Sequence, residues 1–324
     1  MTIRKLLRKA FISTPVAKPV DLSGKYMIVT GASLGSLGYA TAKQLSRWGA
    51  TVVVTTRRDT EDVVAALKNE LEKDSVKVKI DGHKLDLSDT ASVNQFTQWY
   101  EGLYGDRLDI LIYNAVIHLD LMSKWKEPNL TPDGFEIHWR TNYLGTVQLT
   151  HNLLPLLKKT GQRYGEARVV NVVSQLHNRG SNEILFNAQR AYESWQAYGL
   201  SKLALIHFTY ELHRRFSQTD NLKSYCLHPG GKSGTYTNVA NKGFEGHAIV
   251  GLLRKLVAPI EKLFMDTAEE GAQTQLHCAV SADAKSGHYY VKCQAAEASA
   301  DSRDESAAGR LWKNTGEWLT KMPV

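Results

Sequence analysis

Apolar and polar positions along the 324 residues follow two periods. Short apolar runs stand at Lys25–Thr30, Thr51–Thr56, Val76–Ile80, Leu108–Tyr113 and Arg168–Val173. Each has strand length, and most are rich in β-branched residues. Helical spacing fills the intervals. One such stretch runs to Trp48, another starts near Ala91, and a long one carries Tyr198 and Lys202 near its start. This alternation predicts an α/β fold: a doubly wound parallel sheet with helices on both faces.

The first junction carries chemistry. Gly31-Ala32-Ser33-Leu34-Gly35-Ser36-Leu37-Gly38 links the first strand to a helix. Glycines let the backbone approach a pyrophosphate, and the free N–H groups of a helix start face its charge. The sheet is therefore expected to be Rossmann-like, with Gly31, Ser33, Leu34, Gly35, Leu37 and Gly38 as cofactor candidates. At the end of the second strand an acid would suit the ribose 2′-hydroxyl of NAD. Arg57 and Arg58 stand there instead and suit the 2′-phosphate of NADP. Asp59 follows them and competes for the same place. Asp86 ends a strand-like stretch, in position to accept a hydrogen bond from adenine. The bland alternative is that Ser88 or Asp89 caps the helix beginning near Ala91.

Tyr198 and Lys202 are one helical turn apart, so a phenol and an ammonium can enter one cleft and exchange a proton near neutral pH. Spacing alone does not make them a site, because Tyr39 and Lys43 share it. Cofactor candidates elsewhere in the chain raise the standing of the first pair.

Composition changes little. The chain is 43% hydrophobic and 23% charged, as expected of a globular protein. Its net charge of +7 is dispersed, without the basic stripe of a nucleic-acid binder. Cys226, Cys278 and Cys293 have no paired spacing, which points to a reducing, cytoplasmic setting and to no metal site. No apolar run reaches membrane-spanning length. Residues 1–20 form a basic amphipathic arm, with Ile3, Leu6, Leu7, Ala10 and Phe11 on one face and Arg4, Lys5, Arg8 and Lys9 on the other. Peripheral contact with an anionic membrane and docking on the parent domain both suit it. Residues 21–324 are then a single Rossmann-fold domain.

Taken together, these pieces resemble the short-chain dehydrogenase/reductase family over about residues 22–295. The glycine turn is similar to the family's cofactor loop, Asp86-Leu87 to its adenine contact, and Asn114-Ala115 to its conserved strand end. His228-Pro229-Gly230 resembles the loop closing over the nicotinamide. Asn142, Ser174, Tyr198 and Lys202 match the four catalytic positions. Within the family, Asp133-Gly134-Phe135-Glu136, Leu153-Leu154-Pro155-Leu156-Leu157-Lys158, Glu270-Gly271-Ala272-Gln273-Thr274 and Leu311-Trp312 resemble the retinol dehydrogenase branch.

Four departures stand out, one being Val173 in place of the first serine of a common pair, with Ser174 keeping the position that acts. The glycine turn is one residue longer than usual, Val116 replaces a glycine, and the loop after Pro229 is longer, leaving Ser233 and Thr235 as alternatives for the nicotinamide amide. The resemblance implies an NADP(H)-dependent ketoreductase or alcohol dehydrogenase, with Tyr198 as acid or base. Lys202 lowers its pKa and holds the ribose, Ser174 binds the substrate oxygen, and Asn142 supports a water relay.

An apolar cap around 232–268, including Ile249–Val257, suggests a lipophilic ketone, aldehyde or alcohol such as a retinoid, steroid or polyketide. Equally, those residues fill an ordinary core or a subunit contact. The interval 175–197, with His177, Tyr192 and Trp195, should bear on substrate choice. Homo-oligomers occur in the family. The rival reading is a catalytically silent NADP-binding regulator or scaffold, motivated by the altered glycine turn and Val116.

Overall fold

The structure is a computed structural model that describes residues 15–74, 78–187, 191–230 and 266–321. The amphipathic face at residues 3–11, the alternatives Ser233 and Thr235, and nearly all of the expected cap lie outside the described residues.

Eight strands form one sheet in the order β3-β2-β1-β4-β5-β6-β7-β8. They are β1 (Tyr26–Thr30), β2 (Thr51–Thr56), β3 (Lys79–Lys84), β4 (Ile110–Tyr113), β5 (Ala167–Val172), β6 (Leu222–His228), β7 (His288–Val291) and β8 (Gln294–Ala296). All pairings are parallel except β7 with β8. That last hairpin turns through Lys292 and Cys293, both at positive φ (50° and 60°). The longer helices are α1 (Leu37–Arg47), α2 (Thr60–Lys73), α3 (Thr90–Tyr104), α4 (Gly145–Tyr164), α6 (Ser194–Phe216), α7 (Ala268–Val280) and α8 (Glu305–Thr320). The short α5 spans Asn182–Phe186.

Two cores explain the apolar strand runs. Met27, Val29, Val52, Val54, Val170 and Val172 point to one side, under α1, α2 and α7. Ile28, Val53, Leu111, Val169 and Cys226 point to the other, under α3, α4, α6 and α8. Central strands covered on both faces are expected to be mostly apolar. The buried polar exceptions on β5 and β6 are hydrogen-bonded: Arg168 to the Cys278 and Ser281 carbonyls, Asn171 to Thr209, and Ser224 to the Thr209 carbonyl.

The third strand departs from expectation. It begins at Lys79 and runs to Lys84, and Val76 and Lys77 of the expected run lie outside the described residues. Here pairing outweighs local hydrophobicity, since Thr51 to Thr56 of β2 align with Lys79 to Lys84. As a sheet edge, β3 fully buries only Ile80 and tolerates its polar side chains. The loops leaving β1, β2, β4, β5 and β6 all emerge at the carboxyl edge, and β1 and β4 flank the switch point where such sheets bind ligands.

Candidate active site

The glycine turn sits against the end of β4. Gly31 has φ +68°, and a Cβ there would lie 2.6 Å from the Ala115 Cα. Gly38, the last glycine of the lengthened turn, still makes the close approach to Asn114, where a Cβ would lie 2.5 Å from Nδ2. Gly35, also at positive φ, has open space before it. Ser36 caps α1 by accepting from the Tyr39 N–H (3.1 Å) and donates to the Gly31 carbonyl (3.2 Å). The first turn of α1 contains no acid to oppose a phosphate. These features fit the pyrophosphate of a dinucleotide. Ser33 is half-buried, Leu34 is exposed, and Leu37 is buried at the helix start.

The other cofactor candidates line the same edge. Arg57 and Arg58 are exposed just past β2. Asp59 takes a left-handed conformation and makes no side-chain cap to α2. Asp86 accepts from the Ser88 N–H (2.9 Å) and hydroxyl (2.6 Å), whereas Asp89 caps α3 through the Ala91 N–H (3.0 Å). Leu87 is buried, and its carbonyl accepts from Arg140. Pro229 and Gly230 directly follow β6.

Asn114 is fully occupied within the protein. It donates to the Thr30 (3.2 Å) and Gly31 (2.9 Å) carbonyls and accepts from Gln275 (3.1 Å). Gln275 also accepts from Thr41 (3.1 Å), tying β4, α1 and α7 together at the turn.

Asn142, Ser174, Tyr198 and Lys202 come from three places, the last two sharing α6. Asn142 lies in a widened π-helical turn, Trp139–Leu144, that runs directly into α4. Such turns recur at functional sites. Its side chain clamps the chain after β4, accepting from the Ile117 N–H (2.9 Å) and donating to the Ile117 carbonyl (3.0 Å) and the Ser201 hydroxyl (3.2 Å). Ser174 follows β5, where its hydroxyl accepts from the Leu176 N–H (3.2 Å) and lies close enough to Tyr198 to act against the rise of the phenol's pKa. Lys202 donates to the Val172 carbonyl (3.0 Å), and its ammonium lies 5.7 Å from the Tyr198 ring centre.

Burial dominates the charges here. It pushes Tyr198 up to about 12, against the opposing effect of Ser174, and pushes Lys202 down to about 7. The expected lowering of the Tyr198 pKa by Lys202 is therefore not what this structure displays. Desolvation disfavours the charged form of both groups and outweighs their attraction.

His118 and Arg140 shape the site and were not singled out from the sequence, whereas Trp195, His177, Asp133 and Glu136 were. His118 stacks on Tyr198 with ring centres 4.1 Å apart and planes 15° apart. Trp195 meets His118 edge-on at 4.5 Å. The His118 Nε2 atom is buried without a partner, and burial holds the imidazole neutral, at about 3. Nothing in the local pattern at His118 marks it, because it reaches Tyr198 only through the fold. Arg140 is fully buried and held by Asp133 (2.7 Å), the Leu87 carbonyl (2.8 Å) and Thr90 (2.9 Å). Asp133-Gly134-Phe135-Glu136 thus has a structural account. Asp133 anchors Arg140, and Glu136 accepts from the Trp139 N–H (2.7 Å), the Tyr192 hydroxyl (3.0 Å) and His138 (2.6 Å). His177 is buried, linked to the Ser174 carbonyl (2.7 Å) and the Ser299 N–H (3.0 Å). Tyr39 and Lys43 both bind Glu70 of α2 and do no more than join two helices.

The interval 175–197 divides in two. Ile184, Leu185 and Tyr192 line a cavity of about 430 Å³ with Trp139, Ala197 and Leu200. Helical geometry puts Ala197 and Leu200 nearly opposite Tyr198 and Lys202 on α6, so this cavity is not the cleft the tyrosine enters. Trp195, three residues before Tyr198, shares the tyrosine's face.

Fold and site define a nucleotide-dependent oxidoreductase. The short chain dehydrogenase family model matches residues 25–245, and the chain belongs to that family. It is similar to retinol dehydrogenase 12 of Bos taurus, with 36% identity over 320 residues covering 97% of this chain and 92% of that protein. Retinol dehydrogenase 11 of Homo sapiens is 35% identical over 311 residues, covering 94% and 89%. Among solved structures, a protein of Mycobacterium paratuberculosis superposes with TM-score 0.66 at 29% identity, covering 96% of this chain and 100% of that one. A short chain dehydrogenase of Escherichia coli CFT073 complexed with NADPH shares the fold, with TM-score 0.62 at 22% identity, covering 85% and 99%. The protein is accordingly an oxidoreductase acting on CH–OH or C=O groups. Among the described residues no helix is long and apolar enough to cross a membrane.

Proposed function

We propose that this protein is an NADP(H)-dependent oxidoreductase of lipophilic carbonyls and alcohols, with Tyr198 as its proton-transfer group. The observation that carries this reading is the buried Tyr198, close to Ser174 and one helical turn from Lys202. Retinol dehydrogenases among its relatives support a lipophilic substrate, as do the rings of His118 and Trp195 beside the tyrosine.

When bound, the nicotinamide supplies or accepts the hydride. The protein's part is orientation and proton transfer. Gly31, Gly35, Gly38 and the start of α1 would hold the pyrophosphate, and Arg57 and Arg58 a 2′-phosphate. Asp86, Leu87, Ala115, Pro229 and Gly230 would line the rest of the cofactor. Ser174 would hold the substrate oxygen. Tyr198, kept protonated by burial, would donate to that oxygen during reduction and take the proton back during oxidation. Lys202 would stabilise the phenolate left behind. Asn142 would act as a positioning residue, since its side chain is already committed to Ile117 and Ser201. The intact quartet favours an enzyme over a silent scaffold.

Two measurements test this. Tyr198→Phe should cut carbonyl-dependent NADPH oxidation by at least about a hundredfold while leaving NADPH affinity unchanged. Retained turnover sinks the tyrosine's role. Replacing Arg57 and Arg58 with alanine should weaken NADPH about tenfold and spare NADH. Equal loss for both cofactors rejects the 2′-phosphate assignment.

A further inference from the structure

The segment that begins at Ser174 ends at Arg179, and it wraps the turn of α6 that carries Tyr198. Its fit is tight: a Cβ on Gly199 would lie 2.6 Å from the Leu176 carbonyl oxygen and 3.0 Å from the Arg179 Cβ. The backbone of Arg179 is therefore fixed relative to the tyrosine. Its guanidinium lies 5.4 Å from the Trp195 ring centre and makes no hydrogen bond or ion pair with the described residues. Trp195 in turn meets His118, and His118 stacks on Tyr198. These contacts form a continuous wall from the buried phenol to an exposed cation.

Two cations, Lys202 and Arg179, face this wall, and the acid nearest Trp195, Glu193, is used in capping α6, where it accepts from the Trp195 (3.1 Å) and Gln196 (2.6 Å) N–H groups. His118 lies within the fields of Lys202 and Arg179, which help keep it neutral. The nearby Glu136 is already engaged by His138 and Tyr192. An arginine laid on an aromatic ring, with no ion pair among the described residues, suits bidentate capture of a planar anion.

We propose, on the oxidoreductase reading above, that Arg179 and Trp195 form a specificity site for substrates bearing a carboxylate beyond the reacting carbonyl. In that reaction the aldehyde carbon takes hydride from NADPH, which leaves as NADP⁺, and its oxygen takes the Tyr198 proton. The carboxylate stays intact on Arg179. The apolar body of such a substrate lies along Trp195 and His118.

A medium-chain ω-oxo carboxylic acid and its methyl ester, compared as aldehyde substrates, test the assignment. For the acid, Arg179→Gln should raise KM about tenfold with kcat nearly unchanged, and Arg179→Lys should recover part of the loss. The ester should be indifferent to both variants. Calorimetric binding of an unreactive saturated fatty acid to the NADPH-loaded protein should weaken by the same factor in Arg179→Gln. This binding arm needs no turnover, so the specificity site stands or falls apart from the chemistry at Tyr198. Equal effects on acid and ester, or no effect on either, overturn it. Weaker NADPH binding in Arg179→Gln also overturns it, because the anion on Arg179 would then be the cofactor's phosphate.

Discussion

Tyr198 and Lys202 share one environment and respond to it in opposite directions. Burial raises the phenol to about 12 and lowers the ammonium to about 7. The lysine makes a definite pH prediction. Between about pH 7 and the ordinary lysine value near ~10.4, the unfolded chain holds a proton that the folded chain has released. Stability must therefore rise with pH across that window and lose this contribution as pH falls through 7. Lys202→Met should flatten the rise, as measured by urea midpoints at pH 7 and pH 9.5. An identical slope in the variant would falsify the linkage. The Tyr-x-x-x-Lys spacing was legible in the sequence. Both tyrosines are buried; what separates the pairs is that Lys202 is also buried, where α6 packs against the sheet, whereas Lys43 is partly exposed and shares Glu70 with Tyr39.

At the scale of elements, the glycine turn was readable because its constraint is local. A strand, a run of glycines and a helix cap lie within about a dozen residues, and Ser36 and Gly31 perform those parts. Gly31→Ala combines a left-handed φ with a Cβ only 2.6 Å from the Ala115 Cα. It should destabilise the fold by roughly 2–4 kcal/mol and abolish NADPH binding. Gly24→Ala, at φ +73° with open space around it, should cost only about 1 kcal/mol and spare binding. Equal costs in a denaturant titration would argue against the close approach. Element boundaries were less legible. The apolar pattern at Val76–Ile80 did not reveal that β3 runs on to Lys84, because an edge strand takes its register from its neighbour. The clamps at Asn142 and Asn114 were also invisible, since their partners are up to 161 residues away.

Across the whole molecule, α8 closes the outer face of α6 and of the π-helical turn that precedes α4. Trp312 stacks on Phe208 at 5.6 Å, Thr315 and Tyr143 share a hydrogen bond of 2.8 Å, and Trp318 meets Phe135 at 5.8 Å. A chain ending at Asp304 should expose this apolar face, lower the melting temperature and aggregate. Light scattering and thermal melts would show it, and a monodisperse, equally stable product would refute it. From Leu311-Trp312 the sequence suggested a family likeness but not this covering role.

Sequence alone determined the alternating α/β order, the glycine turn, the arginines after β2 and the spacing of the proton-transfer pair. Each is written within a few residues, at the range over which backbone geometry and helical periodicity act. Tertiary structure alone decided which Tyr–Lys pair is buried, which way its pKa values move, and that His118, Trp195 and Arg179 gather beside Tyr198. Those features depend on desolvation and on contacts between distant segments, and neither exists until the chain has folded.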